Sequence, residues 1–192
     1  MIENARGLAA VFERAADAGG LEKPFRAAVE HHLVELGAKL GIAMTPHTEV
    51  TMGTSGRADT IYNRFIVEWE ALGSLKASNS ATKNRETIAQ VQRYGDSLFW
   101  RTREKPGRIV GCCTEGRYFI FVTKPERIWL PSDPVPVDAQ SCRKFLDYFE
   151  SLHSGIALLP EFLSQDFSSE NLRTQRTVRA LYESLIAHQS VP

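Results

Sequence analysis

Apolar positions along the chain fall into two alternating patterns. Residues 3–18 suggest a short helix ended by Gly19-Gly20, and Pro24 can open a second helix as its first residue. Phe25, Val29, Leu33, Leu36 and Leu40 keep helical spacing and form one apolar stripe, with Gly37 and Gly41 marking possible ends. Residues 49–52, 58–62 and 65–71 have the β-branched and aromatic content of strands. A Gly- and Ser-containing loop over 71–79 leads to a helix over 81–100, with Asn79 or Ser80 as its cap and Ile88, Val91, Gly95, Leu98 and Phe99 as its apolar face. Residues 109–114 and 118–123 read as two further strands, the second an apolar run suited to burial. Pro125, Pro131, Pro134 and Pro136 then forbid a helix interior. Helices follow over 139–151, on Phe145, Leu146 and Phe149, and over 170–188, on Leu172, Val178, Leu181 and Leu185. The sequence of elements predicts an α/β fold: a mixed central β-sheet flanked by helices.

The hairpin at 57–70 carries the chemistry. Asn63-Arg64 fits a two-residue loop, since Asn tolerates the positive φ that such turns need. That loop sets Tyr62 opposite Phe65, Ile61 opposite Ile66, Asp59 opposite Glu68 and Arg57 opposite Glu70. Strand alternation then puts Arg57, Asp59, Ile61, Ile66, Glu68 and Glu70 on one face, and Ala58, Thr60, Tyr62, Phe65, Val67 and Trp69 on the other. Like charges directly opposed across a ladder destabilise it, so Asp59 against Glu68 calls for a cation. A divalent metal with oxygen ligands meets that need. The alternative is an exposed acidic hairpin partly neutralised by Arg57.

Composition narrows the classes. Hydrophobic residues make up 43% of the 192 and charged residues 24%, ordinary values for a globular chain long enough to bury a core. Lys plus Arg and Asp plus Glu number 23 each. Neutrality argues against a general nucleic-acid coating protein but not against a nuclease, whose acidic metal site offsets a basic groove. No apolar run approaches a membrane span, and the first residues lack a signal peptide's pattern, so no membrane partner and a cytoplasmic location are expected. Cys112, Cys113 and Cys142 read as reduced thiols rather than as a disulfide or zinc set.

Asp59 followed by Glu68-Trp69-Glu70 resembles the core motif of the PD-(D/E)XK nuclease superfamily. There an Asp on one strand and a Glu-x-Lys on the next bind Mg²⁺ and cut phosphodiesters. The Gly56-Arg57-Ala58-Asp59 lead-in is similar to that of nuclease regions in bacterial restriction-modification and phage-defence proteins. Two positions depart from the pattern. Ala58 stands where Pro precedes the Asp, and Glu70 stands where Lys is usual.

The resemblance implies a restriction-endonuclease-like αβββαβ core over residues 24–124, an N-terminal helix over 1–23 and an accessory helical extension over 125–192. It implies Mg²⁺ or Mn²⁺ held by Asp59, Glu68 and the Trp69 carbonyl, and DNA as the partner. Periodicity leaves Glu30 and Glu35 equal, on opposite sides of the first stripe. The superfamily's further site Glu, upstream of a Leu-Gly, favours Glu30 before Leu40-Gly41. Gln90 and Tyr94, four apart on one helix surface, resemble the Gln-x-x-x-Tyr motif that borders the site in RecB-like members and contacts DNA. Arg57, Lys76, Lys83, Arg85 and Arg93 are candidate phosphate contacts. Glu70 is left as a base, a second-metal ligand or an ion-pair partner of Arg57. The expected function is a metal-dependent DNA endonuclease domain of a restriction or phage-defence system, either dimeric or joined to a domain such as a methyltransferase or helicase. The alternatives are a catalytically inactive nuclease-like DNA-binding or assembly module and a structural interaction domain working through the final helix.

Overall fold

Among the described residues, seven strands form one mixed sheet in the order β1–β2–β3–β4–β5–β6, with β7 also paired to β5. The strands are β1 (His47–Thr51), β2 (Arg57–Tyr62), β3 (Phe65–Trp69), β4 (Val110–Thr114), β5 (Tyr118–Thr123), β6 (Leu130–Pro131) and β7 (Val135–Pro136). The helices are α1 (Ile2–Asp17), α2 (Glu22–Lys39), α3 (Thr82–Thr102) and α4 (Ala139–His153). The structure, a computed structural model, describes residues 2–19, 21–40, 47–52, 56–62, 64–102, 108–125, 128–153 and 179. The chain divides into two compact units, Met1–Ile156 and Ala157–Pro192. Gly41, Asn63 and the helix expected over 170–188, except Arg179, lie outside the described residues.

β3 and β4 pair in parallel, with Phe65 opposite Val110 and Trp69 opposite Thr114. A parallel pair needs a crossover, and α3 supplies it. The other paired neighbours run antiparallel. The expected hairpin register is present: Tyr62 faces Phe65, Ile61 faces Ile66 and Thr60 faces Val67.

The α1, α2 and α4 side of the sheet is packed with aromatic rings. Phe12 of α1 meets Phe25, Trp69 and Phe119 at ring-centroid distances of 5.7, 6.3 and 5.1 Å. Phe145 of α4 meets Phe65 at 5.1 Å and Phe119 at 5.4 Å, and Phe149 meets Tyr62 at 5.1 Å. Thus α1 and α4, on either side of the expected 24–124 core, contribute directly to its packing. Each such ring, fully buried, is worth about 1.5–3 kcal/mol relative to exposure.

The other side is covered by α3. Tyr94 and Leu98 pack with Ile61, Ile66 and Ile109, while Ile88 and Val91 pack with Cys113, Ile120 and Val122. Gly111 lets the helix approach, because a Cβ there would overlap Val91 Cγ1. Ala58, expected with Tyr62, belongs to the cluster that holds Tyr94. Tyr94 reaches across the strand end to donate its hydroxyl to the Arg57 carbonyl at 2.7 Å, which brings its ring toward that position.

Several local expectations change. Pro24 is the third residue of α2 rather than the first, and Gly37 is buried inside that helix. Leu40 is the C-cap residue, 40% exposed, so the apolar stripe stops at Leu36. Helix α3 starts at Thr82, after both proposed caps. Asn79 donates instead to the Ser132 carbonyl. Asn84, one turn into α3, ties down the preceding loop: it accepts from Lys76 N–H and donates to the Lys76 and Ser78 carbonyls. Cys112, Cys113 and Cys142 are free and buried, and burial first of all raises their thiol pKa values.

Candidate functional site

Glu68 and Glu70 stand two apart on β3 and its continuation, so they share a side of the strand. That side faces α3. Glu68 accepts a hydrogen bond from Gln90 Nε2, and Gln90 also donates to Tyr94 Oη at 2.8 Å. With the Tyr94–Arg57 bond, a chain of contacts runs from Glu68 through α3 to the start of β2. Of Gln90 and Tyr94, expected as DNA contacts, Gln90 holds the Glu68 carboxylate and Tyr94 ties Gln90 to the Arg57 carbonyl.

Glu70 is gripped at both oxygens. Thr87 donates to Oε1 at 2.6 Å, and Lys83 Nζ lies 2.7 Å from Oε2. Lys83 is 43% exposed at its side chain while Glu70 is only 10% exposed, so the ammonium bridges a buried carboxylate to solvent. Lys83 and Thr87 are four apart and therefore neighbours on α3. Of the partners the sequence offers Glu70, Arg57 is one; the cation found on it is Lys83.

Asp59 lies at the junction of the two sheet sides. Its Oδ2 accepts from Trp69 N–H at 2.9 Å, and its own N–H approaches Glu68 Oε2 at 3.5 Å. From the opposite side of the sheet Arg26 of α2 reaches in, donating to the Asp59 carbonyl at 2.7 Å and lying 3.7 Å from Oδ1. Arg26 also binds Glu30 at 3.0 Å, and Thr60 Oγ1 donates to the same Glu30 oxygen. Glu30 is therefore joined to Asp59 through Arg26. Glu35 is exposed and pairs with His31, so Glu30 is the one of the two that lies near Asp59. Arg57 is exposed at the start of β2. Lys76 is exposed in the β3–α3 loop and donates to the Gly73 carbonyl at 2.6 Å.

The electrostatics follow from this crowding. Glu68 is 4% exposed. Burial, then the nearby Asp59 charge, pushes its pKa up to about 8. Burial also raises Asp59, against the Trp69 N–H and the Arg26 guanidinium. Two partly desolvated carboxylates, with the Asp59 charge further raising Glu68, are a donor set whose repulsion a divalent cation would relieve. Both offer hard oxygens, which suit Mg²⁺ or Mn²⁺ better than zinc. Among the described residues no group of three or more His, Cys, Asp or Glu is arranged to hold a metal, so backbone or substrate oxygens would have to complete the shell.

Surface cavities of about 470 and 440 Å³ lie elsewhere, beside Arg6, Arg117 and Asp138 and beside Phe121 and Lys144.

Arg26, Thr60 and Thr87 were not among the sequence candidates. Arg26 precedes Glu30 by four residues and Thr87 follows Lys83 by four, spacings visible in the sequence. Their long-range partners were not. No protein-family model matches the chain, and no curated protein or solved structure matches it. Among the described residues no helix is long and apolar enough to cross a membrane.

Proposed function

We propose that this chain is a metal-dependent DNA endonuclease domain of the PD-(D/E)XK type, of the kind found in restriction-modification or phage-defence systems. The observation that carries this reading is the junction of Asp59 with Glu68 at the end of adjacent strands, with Glu68 held by Gln90 and backed by Tyr94. The element order α2–β1–β2–β3–α3–β4 supports it as well.

Asp59, Glu68 and the Trp69 carbonyl would hold Mg²⁺ or Mn²⁺, whose chemistry there is to acidify a bound water and to stabilise charge on the phosphoryl oxygens. Gln90 keeps the Glu68 carboxylate from turning away. Arg26 holds the Asp59 backbone in place and orients Glu30. Both Glu70 oxygens are engaged, one by the Thr87 hydroxyl and one by the Lys83 ammonium. The role of Glu70 is to aim Lys83. Lys83 then brings a positive charge to the scissile phosphate from α3, in place of a lysine on the strand. Preorganised charge of this kind acts on the transition state without reorganising.

The replacement of the strand lysine by Glu70 favours a second reading, a nuclease-like module that binds DNA without cutting it. A cleavage assay separates the two. Supercoiled, linear and single-stranded DNA are incubated with the full chain and Mg²⁺ or Mn²⁺, beside Asp59→Ala. Cleavage by the parent and none by the variant is expected. Absence of cleavage of every form, with DNA binding intact, would move the assignment to the binding module.

A further inference from the structure

The outer side of α3 continues away from the carboxylates. Gln90, Arg93, Ser97, Trp100 and Arg101 are spaced three or four apart along it and so share one side of the helix. Gln90 opens this row at Glu68. Arg93, Trp100 and Arg101 are exposed, Trp100 by 65%. Arg101 Nη1 reaches the Thr51 carbonyl of β1 at 3.3 Å, which fixes the far end of the row over the β1–β2 hairpin. Tyr94 Oη, bonded to the Arg57 carbonyl, places exposed Arg57 alongside. The row from Arg93 to Arg101 thus carries two arginines, with Arg57 beside it, and Asp96 turns aside to Lys124 and Trp129. Glu86 is the exposed acid on this side, a turn before Gln90 and beyond the carboxylates.

A neutral chain that concentrates arginine next to an acidic site has charge complementarity to a phosphate backbone there. An exposed indole among those arginines adds a flat apolar surface. In duplex DNA the base faces are stacked and hidden. An unpaired base presents a face that an aromatic side chain can cover, and this arrangement of basic groove and aromatic platform is how single strands are held without sequence readout. Helical rise puts Trp100 about 15 Å from Gln90, two or three nucleotides along an extended strand.

We propose that the Arg93–Arg101 side of α3 is the track for the DNA strand adjoining the cut, and that Trp100 stacks on an unpaired base there. The preferred substrate is then DNA with a single-stranded segment next to the scissile bond. This rests on the nuclease reading for its link to cutting, but its test does not depend on cleavage.

Fluorescence anisotropy with the full chain in EDTA compares a labelled single-stranded DNA 20-mer, a single-stranded RNA of the same sequence and a blunt duplex. The parent should bind the single strand about ten-fold more tightly than the duplex. Trp100→Ala should lose roughly ten-fold on the single strand, in the range of one base–aromatic stack, with little change on the duplex, and Trp100→Phe should restore most of it. Arg93→Ala and Arg101→Ala should each lower the slope of log affinity against log salt by about 0.7. A parent that binds the single strand but cuts no DNA form would damage only the catalytic reading. Equal affinity for duplex and single strand, an unchanged Trp100→Ala, or tighter binding of the RNA than of the DNA would each overturn the proposal.

Discussion

The two sides of the β2–β3 hairpin are built from neighbouring residues and do opposite things. On the α1, α2 and α4 side, Tyr62, Phe65 and Trp69 are sealed among Phe12, Phe25, Phe145 and Phe149. On the α3 side, Glu68 and Glu70, also nearly buried, meet Gln90, Thr87 and Lys83. Trp69 lies between the two glutamates in sequence, so a single step along the strand passes from dry core to charged site. The aromatic side contributes stability and the acidic side lowers it, because burying a carboxylate costs free energy that hydrogen bonds only partly return. A strand held firmly on one side can keep unfavourable groups in place on the other.

The largest expected effect breaks the aromatic side. Phe145→Ala removes a fully buried ring and should cost about 3–5 kcal/mol in urea unfolding. Where the variant remains folded, its Mn²⁺ affinity should stay close to the parent's. A cost below about 1 kcal/mol would mean that α4 is not part of the support.

Next is the charged side. Lys83→Met should lower metal-dependent cleavage by about 10²–10³, the loss typical of one preorganised electrostatic contact. Its stability should change by under about 1 kcal/mol, as for an ion pair with one exposed partner. Cleavage at the parent rate would return Glu70 to the role of base and leave Lys83 structural.

The smallest effect concerns pH. Glu68 titrates near 8 in the folded protein, above its ordinary value of 4.5. The folded state therefore holds a proton that the unfolded state has lost between those values, and metal-free stability should fall as pH rises through that window. Glu68→Gln removes the titration. At pH 8 it should melt above the metal-free parent by about 3–6 °C, and at pH 5 the two should differ little. Parallel pH profiles for the two proteins would show that Glu68 does not carry this load.

The same contrasts separate what the sequence carries from what only the fold supplies. Local chemistry was legible: the two-residue loop dictated the pairing of Tyr62 with Phe65, and one shift would have exchanged the faces. The nearness of Asp59 to Glu68 followed from that register, though the ladder stops at Thr60 and Val67 and Asp59 accepts from Trp69 N–H. The partners of those carboxylates did not, because they depend on where the crossover helix crosses the sheet. Lys83 and Gln90 meet Glu70 and Glu68 only because α3 lies diagonally from β3 toward the β1–β2 hairpin. Arg26 meets Asp59 from the far side of the sheet, across 33 residues of sequence. The packing roles of α1 and α4 were hidden for the same reason, since an apolar stripe does not say which surface it covers.

The central claim is that Asp59 and Glu68 form a divalent-metal site at the hairpin end. Calorimetric titration of Mn²⁺ into the full chain at pH 8 tests it without DNA or turnover. The parent should bind about one equivalent and release about half a proton from Glu68 as it does so, seen as heat that varies with the buffer's ionisation enthalpy, while Asp59→Asn should bind at least ten-fold more weakly. No saturable heat from the parent at millimolar Mn²⁺, or equal binding by Asp59→Asn, would contradict the account.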